Sequence, residues 1–170
     1  MFMKSRAPLK RRELLSKTLI GSIALAPLPA VAATRAARFD RAAYDRYIQL
    51  MNKGDLNFID YYSDDVSFVM NIRGKKAVWD FYIRQQPYVM ETLEVLFFCS
   101  DRGGAAAQVL SKIQCVRNCD DPSIFGRNLV AGEVQLVRGC LLYGLNAQGK
   151  IAEIKGPPPE ILQPWHSATA

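Results

Sequence analysis

The sequence has a single histidine, His166, and it lies close to the C-terminal end. Cys115 and Cys119 are spaced like half of a metal clip, but a zinc site needs four well-placed sulfur or imidazole ligands. No such set is evident, so we expect no metal site. The remaining cysteines, Cys99 and Cys140, make an even total that can pair in more than one way. We favour buried small side chains with at most one bridge.

A basic surface is also missing outside the N-terminal segment. The net charge is +6, but residues 1–32 hold six basic side chains against Glu13, a net of +5, which leaves +1 for the remainder. A nearly neutral domain lacks the positive stripe that grips a phosphate backbone. We therefore expect no nucleic-acid partner.

The chain has no apolar run long and unbroken enough to suggest a membrane span. Its most apolar stretch, residues 18–33, is interrupted by Pro27 and Pro29 and follows the basic pair Arg11-Arg12. A basic region, a short apolar region and small residues before a cleavage point are the parts of an export signal. The paired arginines resemble a twin-arginine signal. We predict a signal at residues 1–33 and a periplasmic or secreted protein without a stable membrane anchor; a disordered N-terminus is the alternative.

Helical spacing dominates the start of the remaining chain. Tyr44, Tyr47, Ile48 and Met51 form one apolar stripe at helical period, and Gly54 lies where a helix would end. A short helix is predicted over 56–62, a turn over 63–65 and a strand over 66–71. Residues 74–86 have the pattern of a third helix, which Pro87 closes.

From residue 92 the pattern becomes extended. Strands are predicted over 93–99, 105–116, 129–145 and 150–155, with a polar loop over 117–128. The three prolines at 157–159 are expected to end the fold and to leave residues 157–170 as a tail. The predicted fold class is therefore α+β: a cone-shaped, curved, mostly antiparallel (mixed) sheet wrapped around three N-terminal helices, over residues 34–156.

The run from Arg46 to Asn71, RYIQLMNKGDLNFIDYYSDDVSFVMN, together with the later Gly149-Lys150-Ile151 turn, resembles the nuclear-transport-factor-2-like superfamily. SnoaL-like polyketide cyclases and ketosteroid isomerases are the most similar groups within it. The resemblance covers about residues 38–155. It implies an apolar pocket, cofactor-free acid–base chemistry on a ring-bearing substrate, and frequent dimerisation through the outer sheet face.

The resemblance also assigns catalytic roles to positions in this sequence, but two of the three expected groups are replaced. Tyr47 falls where ketosteroid isomerases place the tyrosine that binds the developing oxyanion. Asn71 stands where they have the aspartate base, and an asparagine side chain does not accept a proton as a base does. The second oxyanion donor of the ketosteroid isomerases falls near Leu141 of this sequence. Steroid isomerisation by that mechanism is therefore disfavoured, and we expect Asn71 to orient the substrate instead.

Strand alternation supplies other candidates. Gln108, Leu110, Lys112 and Gln114 share one face of a strand, and the resemblance puts that face toward the pocket, although a slip of one residue would reverse it. Lys112 and Glu133 are then candidates to move the proton. An exposed lysine, or an exposed cross-strand Lys112–Glu133 pair, is the alternative. Gln108, Gln135 and Arg138 are candidates for binding the substrate. For Arg138 a rim salt bridge is slightly favoured.

Aromatic side chains complete the predicted site. Those that a flat ligand could contact are Tyr44, Tyr62, Trp79, Phe81, Tyr82 and Tyr143. At least half of them are expected to belong to the core.

Two hypotheses about function follow. The first is an exported, cofactor-independent lyase, dehydratase or isomerase acting on a small aromatic or polycyclic molecule. Superfamily lyases that release formaldehyde from lignin-derived diaryl compounds are one such chemistry. The second is a non-catalytic ligand-binding or dimerisation module, because the fold alone does not specify a reaction.

Overall fold

The structure is a computed structural model, and it describes residues 39–167 of the chain. The predicted export signal and its cleavage point lie outside these described residues. Within the described part, every helix is too short or too polar to cross a membrane.

The helices of the N-terminal half follow the predicted order. Helix α1 spans Arg41–Asn52, and the Asp40 carboxylate caps it by accepting a hydrogen bond from the Ala43 amide (2.9 Å). After Gly54, which has a φ of 65°, a 3-10 helix spans Leu56–Tyr61. Helix α2 spans Lys75–Gln85, and a short α3, Pro122–Phe125, lies in the later loop. The three predicted helices are thus present, the second as a 3-10 helix.

Seven strands form one mixed, curved and unclosed sheet. They are β1 (Tyr62–Phe68), β2 (Ile72–Arg73), β3 (Val89–Ser100), β4 (Gly104–Cys115), β5 (Glu133–Leu145), β6 (Ile151–Lys155) and β7 (Glu160–Ser167). The order across the sheet is β2-β1-β6-β5-β4-β3, with β7 also paired to β5. The β1–β6 pair is parallel, and the other pairs are antiparallel. The predicted α+β class with a curved sheet is confirmed.

The prediction that the fold ends at the three prolines is wrong. Strand β5 is long enough for β6 to pair with Leu142–Leu145 and for β7 to pair with Glu133–Arg138 along the same edge. Between them the chain passes so close to β5 that a Cβ on Gly156 would lie 2.1 Å from the Cys140 carbonyl oxygen. Glycine alone allows this approach. Pro164 is tolerated in β7 because only one edge of that strand is paired.

The strand predicted over 66–71 begins and ends earlier than expected. Strand β1 starts at Tyr62 and stops at Phe68, and a single 3-10 turn, Val69–Asn71, follows it. Met70 and Asn71 both have a φ of 60°, a left-handed backbone that is uncommon for residues other than glycine. The chain therefore leaves the sheet before it reaches Asn71.

One main core lies between the helices and the inner face of the sheet. Tyr44, Tyr62, Val66, Val78 and Ile151 are fully buried in it. A smaller cluster forms around the buried residues Cys115, Cys119 and Leu129, beneath the loop that carries α3. All four cysteines are free thiols; Cys99 and Cys140 are exposed. The favoured interpretation as buried small side chains therefore holds for two of the four.

Candidate active site

A cavity of about 300 Å³ lies between the helices and the concave face of the sheet. Most of its wall is apolar, and its polar groups are the Glu91 carboxyl, the Ser111 hydroxyl, the Gln85 amide and three tyrosines. The lining residues are Tyr47, Ile48, Met51, Phe68, Val69, Met70, Phe81, Tyr82, Gln85, Glu91, Leu93, Val109, Ser111, Ile113, Val137, Gly139, Leu141, Tyr143, Ile154 and Pro159. A mainly apolar pocket with a few converging polar groups is the usual form of a small-molecule site.

Helix α1 supplies one wall of the cavity through Tyr47, Ile48 and Met51, which lie on its buried side. Strand β3 supplies the facing wall through Glu91 and Leu93. The two elements are joined by Asn52, whose side-chain amide donates to the Leu93 carbonyl (3.0 Å) and whose amide oxygen accepts from the Leu93 N–H (2.7 Å). This paired contact fixes Glu91, two residues away, relative to the helix.

Glu91 is the one acidic side chain on the cavity wall. The Ser111 hydroxyl, on the neighbouring strand β4, donates a hydrogen bond of 2.5 Å to the Glu91 Oε1. Burial raises the pKa of Glu91 above its ordinary value of 4.5, and the bond from Ser111 offsets part of that rise. A carboxyl group with a raised pKa in an apolar cavity is suited to take up and return a proton near neutral pH.

Tyr47 also lines this cavity. Its hydroxyl is hydrogen-bonded to the Tyr62 hydroxyl at 2.8 Å, and both rings are buried. Burial raises the pKa of Tyr47 far above its ordinary value, and the hydrogen bond with Tyr62 offsets part of that rise. The nearby Tyr44 and Glu91 side chains raise the pKa of Tyr47 further. Tyr47 thus remains a neutral hydrogen-bond donor at any physiological pH.

Tyr143 and Tyr82 extend this set of phenols. The Tyr143 hydroxyl lies 3.3 Å from that of Tyr44, which itself stacks on Phe98 at a ring distance of 4.5 Å behind the cavity wall. Burial raises the pKa of Tyr143 and of Tyr82 well above the ordinary value. The residues that line the cavity therefore include three neutral tyrosines and a single ionisable carboxyl group.

Three of the predicted aromatic contacts lie on the cavity wall, namely Phe81, Tyr82 and Tyr143, together with Tyr47. The buried core includes Tyr44, Tyr62 and Tyr143, three of the six, which agrees with the expectation that at least half of the set is core. Trp79 lies on the other side of α2 and is 42% exposed. Asn71 is exposed and is not part of the wall, because the chain turns away at Met70.

The predicted orientation of β4 is wrong. Val109, Ser111 and Ile113 face the cavity, and the opposite set, which includes Gln108 and Lys112, faces outward. Lys112 is exposed and stands opposite Leu136 rather than Glu133, so the alternative cross-strand pair is absent as well. Gln108 donates a long hydrogen bond to the Cys140 Sγ (3.6 Å) on the outer surface.

Strand β5 places the other predicted residues away from the cavity. Arg138 lies on the outer face and forms an ion pair with Glu160 of β7 (3.1 Å), the alternative favoured for it. Glu133 accepts hydrogen bonds from Arg127 (2.9 Å) and from the Val130 amide (2.8 Å). It thus stabilises the loop before β5. Gln135 does not line the cavity either.

Glu91 and Ser111 were not among the predicted site residues. The strand was expected to begin at Leu93, so Glu91 fell outside it. The sequence does carry a signal, because Glu91, Leu93 and Val95 alternate in phase, and a lone carboxyl on an otherwise apolar face is a candidate for function. Across the described residues, no group of three or more histidine, cysteine, aspartate or glutamate side chains is arranged to hold a metal ion.

Comparison with known proteins identifies the fold. No family model matches the chain, and no curated protein matches it. Solved structures do match. A SnoaL-like polyketide cyclase from Agrobacterium tumefaciens str. C58 has a TM-score of 0.52 at 18% identity, over 65% of this chain and 84% of the other. An LEH-like epoxide hydrolase from Mycobacterium tuberculosis has a TM-score of 0.52 at 13% identity, over 71% of this chain and 80% of the other.

A third similar structure is a computationally designed 17-OHP binder, with a TM-score of 0.51 at 16% identity, over 68% of this chain and 87% of that one. The chain therefore has the cone fold of SnoaL-like and nuclear-transport-factor-2-like proteins. At these identities the likeness concerns the fold alone, and proteins that share it include both enzymes and a binder.

Proposed function

We propose that the chain is a cofactor-independent acid–base enzyme, a lyase, dehydratase or isomerase, acting on a small hydrophobic aromatic molecule. The observation that carries this proposal is that Glu91, with its raised pKa, and Tyr47 line one mainly apolar cavity. An ionisable group and a neutral donor enclosed together are what proton transfer next to an oxygen requires.

In the proposed reaction the Glu91 carboxylate removes a proton from carbon or oxygen of the substrate. The electron pair moves toward a substrate oxygen, which accepts a hydrogen bond from Tyr47. This step requires Tyr62 to be the donor in the 2.8 Å hydrogen bond between the Tyr47 and Tyr62 hydroxyls. The proton then returns from Glu91 to another atom, or a leaving group departs with the electron pair. Ser111 stabilises the carboxylate form and fixes its direction.

The size of the cavity narrows the substrate class. An apolar protein cavity of about 150 Å³ holds one benzene ring. A cavity of about 300 Å³ is therefore matched to a molecule with about two rings. This favours a mono- or bicyclic substrate over the larger polycyclic ones that the sequence left open.

The experiment is to incubate the purified domain with aromatic alcohols and enones of one to three rings and to follow mass and binding together. Conversion of a one- or two-ring compound is the expected result. Binding without conversion across the panel would contradict the enzymatic proposal and favour the alternative, a ligand-binding module, for which the designed binder of the same fold is a precedent.

We also propose that the protein is exported and forms a homodimer. Arg11-Arg12 and the apolar run after them support the twin-arginine route. Replacing both arginines with lysine is expected to retain the protein in the cytoplasm, and continued export would contradict that route.

Exposed apolar side chains on the sheet, among them Phe97 (55% exposed) and Leu142 (48%), support a dimer. Sedimentation analysis, which would show a monomer if this is wrong, tests it.

A further inference from the structure

The cavity has two solvent-exposed residues on its wall. Among the described residues that line it, all are buried or largely buried except Met70 and Pro159. Met70 is 65% exposed and yet forms part of the wall. A residue that both lines a cavity and faces solvent lies at its entrance. We call Met70 and Pro159 the entrance pair.

The backbone beneath Met70 is held in an unusual conformation. Met70 has φ 60° and ψ 25°, and Asn71 also has a φ of 60°. Asparagine is enriched in this left-handed region, but an unbranched side chain such as methionine is not. Strained residues of this kind persist where the surrounding structure imposes them, and they concentrate at functional sites. Here the strain directs an apolar side chain toward the entrance instead of into the core.

Pro159 is the second exposed residue of the cavity wall. It immediately precedes β7, whose first residue, Glu160, is bound to Arg138 of β5 by the 3.1 Å ion pair. The Pro159 ring is stiff, and the methionine side chain is flexible and adapts to irregular surfaces. The entrance pair thus consists of one stiff and one flexible apolar side chain.

We propose that Met70 and Pro159 are specificity-determining residues, which set the largest ring system that the cavity admits, and that Asn71 is the positioning residue that aims Met70. The inference rests on the proposed function in so far as the cavity must bind ring-bearing ligands. Because the cavity accommodates about two rings, a third ring of a larger ligand would project between Met70 and Pro159. Shortening either side chain is then expected to relax the size limit.

The test uses phenol, 2-naphthol and 9-phenanthrol as probes, with dissociation constants measured by calorimetry on the whole mature domain. In the wild type, 2-naphthol is expected to bind best. In Met70→Ala, the affinity for 9-phenanthrol is expected to rise about tenfold, the effect of a few methylene groups in an apolar pocket, while that for phenol changes less than about twofold. Pro159→Ala is also expected to raise the affinity for 9-phenanthrol.

Two variants separate this role from a general structural one. Asn71→Gly tolerates a φ of 60° and should keep the wild-type preference. Asn71→Val disfavours that conformation and should reproduce the pattern of Met70→Ala. Met90→Ala is the control, since Met90 is also exposed (51%) but lies outside the cavity wall.

The outcomes are distinguishable. An unchanged size preference in Met70→Ala, with all three probes still bound, would overturn this inference and leave the proposed function standing. Failure of the wild type and every variant to bind any probe would overturn both. Equal gains for all probes in Met70→Ala and Met90→Ala would assign the effect to loosened structure and would also overturn it.

Discussion

The Ser111 hydroxyl donates a 2.5 Å hydrogen bond to Glu91 across the β3–β4 ladder, inside the apolar cavity. Leu93, not Glu91, stands directly opposite Ser111, so the contact is a diagonal one between neighbouring strands. The geometry gives the Glu91 carboxylate one strong donor. We regard this contact as the centre of the site.

The raised pKa of Glu91 predicts how stability depends on pH. Between 4.5, the ordinary pKa, and the higher value in the folded state, the folded chain binds more protons than the unfolded chain. The contribution of Glu91 to the unfolding free energy therefore falls as pH rises through that window. Glu91→Gln lacks this titration and is expected to gain stability relative to the wild type as the pH rises above 4.5.

Urea denaturation of both proteins at several pH values measures the difference. Glu94→Gln is the matched control, because Glu94 is exposed on the same strand. A Glu91→Gln stability difference that does not change with pH would show that the carboxyl group titrates normally.

Tyr47 and Tyr62 are predicted to affect turnover unequally. Tyr47→Phe removes the proposed donor and is expected to lower kcat by about 10²- to 10³-fold, the usual effect of losing an oxyanion donor. Tyr62→Phe leaves that donor in place and is expected to have a much smaller effect on kcat, with a loss of about 1 kcal/mol of stability. Steady-state kinetics and thermal unfolding measure the two effects. Equal losses of kcat in both variants would contradict the assignment of Tyr47 as the group that touches the substrate.

Gly139 offers a way to fill the cavity. A Cβ added there would meet Val109 Cγ2 at 3.6 Å, an ordinary contact distance, so a side chain fits without displacing the backbone. Gly139→Val is expected to weaken the binding of a two-ring ligand about tenfold while stability changes little. Calorimetric binding and thermal unfolding check this, with Gly103→Ala, a turn glycine outside the cavity, as the control. Unchanged affinity would mean that ligands bind elsewhere.

The outward position of Lys112 predicts that it does not take part in the reaction. Lys112→Met is expected to leave kcat/KM within about twofold of the wild type, since exposed surface substitutions rarely disturb a distant site. Glu133→Gln is also expected to retain turnover but to loosen the loop held by Arg127, at a cost of up to about 1 kcal/mol in stability. A large loss of activity in Lys112→Met would contradict the orientation of β4.

The sequence predicts the helices well because the spacing of the apolar residues shows directly which side of a helix is buried. The stripe containing Tyr47 and Met51 faces the cavity as expected. Strand alternation separates β4 into two sets but does not state which set faces inward, because a shift of one residue exchanges them. The residues Lys112 and Ser111 were therefore assigned to the wrong sides. Hydrophobicity alone favours the correct answer, since Val109 and Ile113 flank Ser111.

Two other features depend on tertiary contacts that no local pattern contains. Prolines 157–159 do end a strand, but Gly156 allows the chain to continue against β5 and form β7. Asn71 looked like the end of a strand, yet the left-handed turn at Met70 carries it out to solvent. Lys112 and Glu133 were the predicted proton-transfer groups, whereas the carboxyl group on the cavity wall is that of Glu91, on β3.

The most direct test of this account is turnover of the preferred aromatic substrate by Glu91→Gln and by Glu94→Gln, measured together with binding of that substrate. We predict that Glu91→Gln binds within about fivefold of the wild type but loses at least about 10²-fold in kcat, the contribution of a positioned general base. Glu94→Gln should match the wild type in both. Full turnover by Glu91→Gln, with the substrate still bound in the cavity, would contradict the role of Glu91 as the group that moves the proton.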